Sequence, residues 1–276
     1  MLSIRNLSDQ RPPAAARGPL ALLAHQVRYD LLANVRNPRA RFFTFMFPIL
    51  LLVILAGVFG DGTTTVDGVT VKLARFYVPG ILALSIVTAA YGGLVMSVAS
   101  ARETGILKRR RATPVPAWVL VAGQALSTLA IALVMSAILL VIARFGYHVG
   151  FGAGALAAVA ITVVVGTLSF ACVGYAVAGL IGSLDAAQAI VQATMMPLYF
   201  ISGVWIPISA LSHTLRSIGS LFPVEHLAAG LHLASVKGTF ASAISGTDLL
   251  VLCAWALAAA VFAARRFSWL PSAAAA

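Results

Sequence analysis

Charge is what this chain has least of. Asp, Glu, Lys and Arg make up 10% of its 276 residues and hydrophobic side chains 61%, against about 25% and roughly 45–50% in an ordinary soluble domain. One globular core cannot hide that much apolar surface, so a soluble protein is excluded. Acids are the scarcer sign, eight against nineteen bases, and no pair of aspartates falls in the middle of an apolar run. Gly-x-Ser-Gly and His-Glu-x-x-His are absent as well, so an intramembrane protease has nothing from which to build its site. Secondary transporters and channels commonly keep ionisable residues at mid-membrane. The apolar runs here are essentially free of them, which counts against both as alternatives. Only two cysteines occur, Cys172 and Cys253, in different apolar runs and without any metal or disulfide pattern; they read as small buried apolar groups. No Gly-x-x-x-x-Gly-Lys-[Ser/Thr] loop is present, so nothing here cradles a nucleotide in the familiar way, and any ATP energy comes from another chain.

What the chain does have is long uncharged runs. Several exceed the roughly 18 residues needed to cross about 30 Å of hydrocarbon as a helix. They are apolar on every side, whereas a barrel would show strands of about ten residues with alternating polarity. Six spans are expected, at about 42–59, 76–99, 115–142, 155–181, 186–206 and 248–264. Pro48, Pro79, Pro114 and Pro116 fall near span starts, where a missing N–H does little harm. Pro197, late in the fifth span, should kink the helix or end it early.

An even number of spans puts both termini on one side, and the bases decide which. Arg5, Arg11, Arg17, Arg28, Arg36, Arg39, Arg41, Arg102, Lys108, Arg109, Arg110, Arg111, Arg265 and Arg266 share one side, and only Lys72, Arg75, Arg144, Arg216 and Lys237 the other. The positive-inside rule then places residues 1–20, the stretch around Arg102–Arg111 and the tail 265–276 in the cytoplasm of a cell-membrane protein. The net charge of +11 is thus topological. Anionic lipid headgroups attract such clusters, and nucleic acid is not implied. Met1–Arg17 carries charges and two prolines but no apolar run directly after them, so a cleavable signal peptide is not expected.

Before the first span, residues 21–36 place Leu22, Leu23, Val27, Leu31, Leu32 and Val35 at helical spacing, with His25, Gln26, Arg28, Tyr29, Asp30 and Arg36 interleaved. This predicts an amphipathic interface helix, with residues 21–41 as its unit. Asn37-Pro38 breaks it and turns the chain into the membrane. After the fifth span, residues 207–246 are too polar to cross, yet carry Leu211, Leu215, Ile218, Leu221 and Phe222 at near-helical intervals, which predicts one or two short helices dipping into the outer face. Gly146, Gly150 and Gly154 recur at four-residue spacing, a weak signal for close helix approach or dimerisation.

Between the second and third spans lies Arg-Glu-Thr-Gly-Ile-Leu-Lys-Arg-Arg-Arg-Ala-Thr-Pro-Val, Arg102 to Val115. Five bases buried at mid-bilayer would cost on the order of 12–18 kcal/mol, so they face water. Glu103 to Arg111 can form a short helix with its acid at the start and its bases at the end, an order that suits the helix dipole.

This segment resembles the one between the second and third spans in permeases of the ABC type-2 transporter family, particularly the drug-resistance branch related to daunorubicin exporters. Arg-Asn-Pro-Arg at 36–39 is similar to that family's lead into its first span. Ile-Ser-Gly-Val-Trp-Ile-Pro-Ile-Ser at 201–209 is similar to its exit from the fifth, and Phe-Pro-Val-Glu-His-Leu at 222–227 to its outer re-entrant region. The resemblance implies an all-α integral membrane protein with six transmembrane helices, an N-terminal amphipathic interface helix, a cytoplasmic coupling helix at about 101–112 and a re-entrant outer helical region. It implies an exporter subunit working with a second permease, identical or homologous, and with separate ABC ATPase subunits that bind the ATP and Mg; this chain would bind no cofactor itself. Glu103, Gly105, Leu107, Thr113 and Pro114 match the family's coupling pattern, while Lys108, Arg109, Arg110 and Arg111 are more basic than that pattern. Tyr29, Asp30, Arg36, Asn37 and Pro38, on the interface helix, would flank the ATPase contact. An apolar or amphipathic cargo such as a drug or lipid suits a path with little charge.

On the expected fifth span Gln188, Gln192, Met195, Tyr199 and Gly203 follow three- and four-residue steps and share one face. Two amides in hydrocarbon need partners: a neighbouring helix or second protomer on one reading, a substrate cleft on the other. The second span offers Thr88, Tyr91 and Gly92 as a similar candidate. Asp185, after Ser183, reads as a helix cap. His213, His226 and His232 lack the spacing of a helical metal pair and read as interfacial, as do Trp118, Trp205 and Trp269.

Overall fold

The computed structural model describes residues 18–66, 68–106 and 116–266. Five of its helices are long and apolar enough to cross a membrane: Phe42–Phe59, Leu73–Glu103, Trp118–Gly146, Ala153–Ala178 and Gly246–Arg265. The element expected as a span over 186–206 is instead the helix Leu184–Ile201, of 18 residues, about 27 Å long at 1.5 Å per residue. Asp185, Gln188 and Gln192 set it apart from the other five by polarity. Pro197 lies inside this helix, which ends one turn later. Gly203 follows in the left-handed region with φ of 74°, so it does not continue the face begun by Gln188.

Ahead of the bundle, the interface helix Pro19–Arg36 carries a proline in its first turn and stops at Asn37, whose backbone is extended. Pro38 opens the next short turn, Pro38–Arg41. Between the first and second long helices the chain makes an antiparallel hairpin, Thr63–Val66 with Val69–Lys72. The run of β-branched side chains and Gly68 at φ of 74° are the reasons it forms. The hairpin hands directly to Leu73, so the second long helix starts earlier than expected, and Pro79 falls inside it rather than near its start.

The Leu73–Glu103 helix is the axis of the fold. The first and third long helices, the Ala153–Ala178 helix, the Leu184–Ile201 helix and the shorter Pro223–Val236 helix all pack against it. Its apolar window is 72% buried, compared with 11% for Gly246–Arg265. The Gly246–Arg265 helix lies along Ala153–Ala178, where Ser169 Oγ donates to the Leu252 carbonyl at 2.8 Å. With no water in hydrocarbon, a hydroxyl has to be satisfied by protein. Ser136, Thr162 and Thr167 accordingly donate to carbonyls one turn back on their own helices. Cys253 is exposed, not buried as the sequence suggested, and Cys172 is half-buried.

At the end of the bundle away from Arg102, three α-helices, His213–Gly219, Pro223–Val236 and Phe240–Ala243, occupy the segment expected to hold one or two. A Cβ on Gly154 would meet the Phe240 backbone nitrogen at 2.5 Å, so this glycine serves a close approach within the chain. Gly80, beside Pro79, does the same for the loop after Ile201: a Cβ there would stand 2.4 Å from the Val204 carbonyl oxygen.

That backbone oxygen has no flexible side chain to move aside. Gly80→Ala should therefore cost about 1–3 kcal/mol of stability, read as a lower thermal midpoint in detergent. Gly57→Ala, where the nearest neighbour to a Cβ is at 4.0 Å, should leave the midpoint unchanged.

Candidate functional site

The second long helix runs without a break to Glu103, so residues 101–103 of the expected coupling helix belong to the span. Thr104 then donates twice to the Ser100 carbonyl, from its N–H at 3.0 Å and its Oγ1 at 2.8 Å. Gly105 follows in the left-handed region with φ of 71°. Leu107, Lys108, Arg109, Arg110, Thr113 and Pro114 lie outside the described residues.

Two adjacent side chains at this end are fixed by the turn between the Ala153–Ala178 and Leu184–Ile201 helices. Arg102 is 5% exposed, and its Nη1 donates to the Ile181 carbonyl. Glu103 Oε1 accepts the Leu184 N–H at 2.7 Å. Ser183 caps the same helix by accepting from the Ala186 N–H at 3.2 Å, leaving Asp185 in the first turn. Acids at a helix start and a cation just past a helix end both suit the macrodipole. Arg102 does not stand out in the sequence as more than one of a run of bases. Its place next to Ala101 and Ala99, still on the apolar helix, is the signal that sets it apart.

Midway along the same helix, Thr88–Gly93 is a π-helical segment. Its wider turn aims two hydroxyls at the Leu184–Ile201 helix: Tyr91 Oη pairs with Thr194 Oγ1 at 3.0 Å, and Thr88 Oγ1 with Tyr199 Oη at 3.3 Å. Gly92 admits Val191, and Gly174 of the fourth long helix lets its neighbours approach the carbonyls of Ala90 and Tyr91. Tyr91, Met195 and Tyr199 are buried within this contact. Gln188 and Gln192 are exposed on the surface of the chain. The structure thus divides the face drawn from the sequence into a packed half and an open half, and adds Thr194, which periodicity did not single out.

The interface helix lies across the start of the Trp118–Gly146 helix, with Gln26 packed so closely on Gly123 that a Cβ there would touch its Cγ at 2.5 Å. Gln26 Nε2 donates to Asp30 Oδ1 at 2.8 Å, and Asn34 Nδ2 to the Asp30 carbonyl. Tyr29, Arg36, Asn37 and Pro38 are exposed, with the His25 ring against Tyr29.

The opposite end holds His226, which the sequence marks only as an interfacial histidine, in a cluster of titratable groups. His226 Nδ1 lies 2.7 Å from Asp248 Oδ1 and Nε2 lies 3.0 Å from the Ser220 carbonyl, while Glu225 stands 3.6 Å from Nδ1. Both close partners only accept hydrogen bonds, so the ring that satisfies both carries two protons. Burial alone pulls His226 down, but the bonds to Asp248 and Ser220 and the nearby carboxylates more than reverse this, and its pKa is raised. Burial, opposed by His226 and assisted by Asp248, holds Glu225 above the usual carboxylate range. His232 is the contrast. It is fully buried, its ring stacks on Phe76 with centroids 4.7 Å apart, and burial pushes it down to about 4 despite the bond from Nε2–H to the Gly203 carbonyl.

Glu225 and His226 both bind a proton more tightly in the folded chain than at their ordinary values of 4.5 and 6.5. Their contribution is complete below those values and is lost as pH rises through the raised ones. His232, held down to about 4, contributes the opposite slope below its ordinary value of 6.5, so the check is the difference from Asp248→Asn: the wild-type thermal midpoint in detergent minus that of the variant should be largest near pH 5 and shrink towards about pH 8. A difference that grows across this window would contradict the assignment.

Comparison with known proteins agrees with this architecture. The family model for the ABC-2 type transporter matches residues 23–234, a range that takes in the interface helix, the Arg102 end, the π-helical segment and the Leu184–Ile201 helix. Two curated proteins from Escherichia coli, strains K12 and O157:H7, each described as the probable multidrug ABC transporter permease YbhR, are 28% identical to it over 151 residues. The match covers 55% of this chain and 41% of theirs, so the chain spans under half the length of these relatives. With its apolar helices and a family match over most of its length, the chain belongs to the ABC-2 type transporter family and is a multi-pass membrane protein.

Proposed function

We propose that the chain is the membrane-spanning permease subunit of an ATP-driven exporter, moving an apolar or amphipathic compound such as a drug or lipid out of the cell. The observation that carries this reading is the family match over residues 23–234, joined to long helices with almost no charge to bind a polar cargo. A multidrug role is suggested by the description of the E. coli relatives. The Leu184–Ile201 helix counts as the fifth of six spans, and both termini lie in the cytoplasm with the bulk of the bases. The chain sits in the cell membrane of a bacterium.

In this reading the permease works as a pair, with an identical or homologous partner, above two ATPase subunits that hold ATP and Mg. The segment from Gly105 through Pro114 seats in the ATPase, with Leu107 as its apolar contact and Lys108, Arg109 and Arg110 as its charged ones. Tyr29, Asp30, Arg36, Asn37 and Pro38 flank that contact at the inner membrane surface. Gln188 and Gln192, exposed amides in an apolar setting, face either the cargo or the second permease. Thr88, Tyr91, Met195 and Tyr199 form the wall behind them.

Tagged permease purified from its native host should retain an ABC ATPase through purification and show vanadate-sensitive hydrolysis. Gly105→Val imposes a side chain on a left-handed residue at about 1–2 kcal/mol, so retention of the ATPase should weaken by about tenfold with membrane insertion intact. Transport by the purified chain alone, or labelling of a Lys108→Cys variant from outside intact cells, would overturn the proposal.

A further inference from the structure

We infer that Arg102 and Glu103 form a clasp that carries displacement of the segment after Gly105 into the first turn of the Leu184–Ile201 helix, so that both act as positioning residues in the transport cycle. The inference rests on the permease reading above and adds a route through this chain's own residues.

The geometry is economical. Two consecutive residues of opposite charge end one helix, and each engages a different side of the same short turn. The cation meets the Ile181 carbonyl just beyond the Ala153–Ala178 helix, and the anion meets the Leu184 N–H at 2.7 Å, the first helical residue of the next. Both of these partners are backbone groups, so the turn cannot swing either one away while its backbone stays in place. Arg102 is buried at 5% exposure, and a buried cation cannot move without straining the bonds that hold it. Below the clasp the chain turns at once through Thr104 and Gly105. Above it, Tyr91–Thr194 and Thr88–Tyr199 repeat the connection between the same two helices. A shift applied below Gly105 therefore meets a helix pair tied at its end and at its middle, and the pair moves together with Gln188 and Gln192 on its open face.

Glu103 has a competing role as a charge directed at the ATPase, and chemistry separates the two. Gln keeps an Oε1 to accept the Leu184 N–H but removes the charge, whereas Ala removes both. The donor can be deleted independently by Leu184→Pro. Proline is favoured at the first helical position, and Ser183 before it is already extended with φ of −135° and ψ of 161°, the conformation a following proline requires.

The test uses the full chain with its co-purified ATPase in lipid nanodiscs, in a Cys172→Ala, Cys253→Ser background. An environment-sensitive bimane label is placed on Ala189→Cys, an exposed position on the Leu184–Ile201 helix. The readout is the emission shift on trapping with ATP, Mg and vanadate, divided by the nucleotide trapped. The parent protein and Glu103→Gln should shift equally. Arg102→Met, Glu103→Ala and Leu184→Pro should each lose at least half of the shift, and Glu103→Ala combined with Leu184→Pro should be no worse than either alone, the non-additivity of a shared bond. Should Glu103→Ala fail to fold, the comparison of Glu103→Gln with Leu184→Pro carries the decision. A full shift in Leu184→Pro, or a Gln variant as impaired as Ala, would overturn the clasp while leaving the permease reading intact. A parent chain that neither retains an ATPase nor traps nucleotide would overturn both.

Discussion

A charge at the edge of a hydrocarbon layer has to be answered by protein, and in this fold Arg102 is the charge that organises one end. It sits on the central helix, among alanines and valines that belong in the apolar interior, and the Ile181 carbonyl accepts its hydrogen bond. That bond fixes where the Ala153–Ala178 helix hands over to Leu184–Ile201. Glu103, one residue on, completes the junction by accepting the first N–H of the new helix. Helix starts leave N–H groups without intrahelical partners, and supplying one from a neighbouring helix removes a desolvation cost that lipid would otherwise impose.

The same rule explains the middle of the bundle. Hydroxyls that could have opened a polar lining are instead paired between two helices, and a π-helical turn supplies the rotation that brings both pairs into register. Glycines do the complementary work by letting backbone pass backbone at Gly80 and Gly154. In lipid, apolar side chains gain nothing from leaving a solvent as oily as themselves, so close approach and interhelical hydrogen bonds have to supply the specificity. This accounts for a central helix that is deeply buried next to flanking helices whose apolar sides are open.

Much of this was legible in the sequence, because span length and the absence of charge are local properties. The five helices long and apolar enough to cross a membrane fall where the apolar runs are, and Asn37-Pro38 ends the interface helix as its dipeptide chemistry dictates. The family resemblance, carried by Arg102–Val115 and three shorter motifs, agrees with the match over residues 23–234. Other features were missed for stated reasons. The hairpin at 63–72 announces itself through Thr-Thr-Thr-Val and Asp67-Gly68, but a reading tuned to hydrophobic spans passes over eight residues of alternating pattern. The fifth helix was drawn too long because Gly203-Val204-Trp205-Ile206 is apolar, while only a backbone angle shows that Gly203 ends its course. His226 and Asp248 are separated by a helix and a loop. No periodicity joins residues that distant; only tertiary structure does.

The placement of the two polar junctions along the central helix is what gives it mechanical meaning. Leu73–Glu103 is 31 residues long, about 46 Å at 1.5 Å per residue, and it meets the chain segment 184–204 at three heights: through Glu103 at one end, through Tyr91 and Thr88 in the middle, and through Gly80 against Val204 near the other. Two rods joined at one point can pivot; hydrogen-bonded at two separated heights, as Leu73–Glu103 and Leu184–Ile201 are, they pivot far less. The first and last long helices, with their largely open surfaces, are tied over a shorter stretch: the Val53 carbonyl accepts from Tyr147, and on the last helix the Leu252 carbonyl accepts from Ser169 and Asp248 pairs with His226 one turn away. The division between a stitched pair and loosely held flanks therefore sets which parts of the bundle can move relative to one another, and it follows from where the few polar side chains of a nearly uncharged chain have been placed.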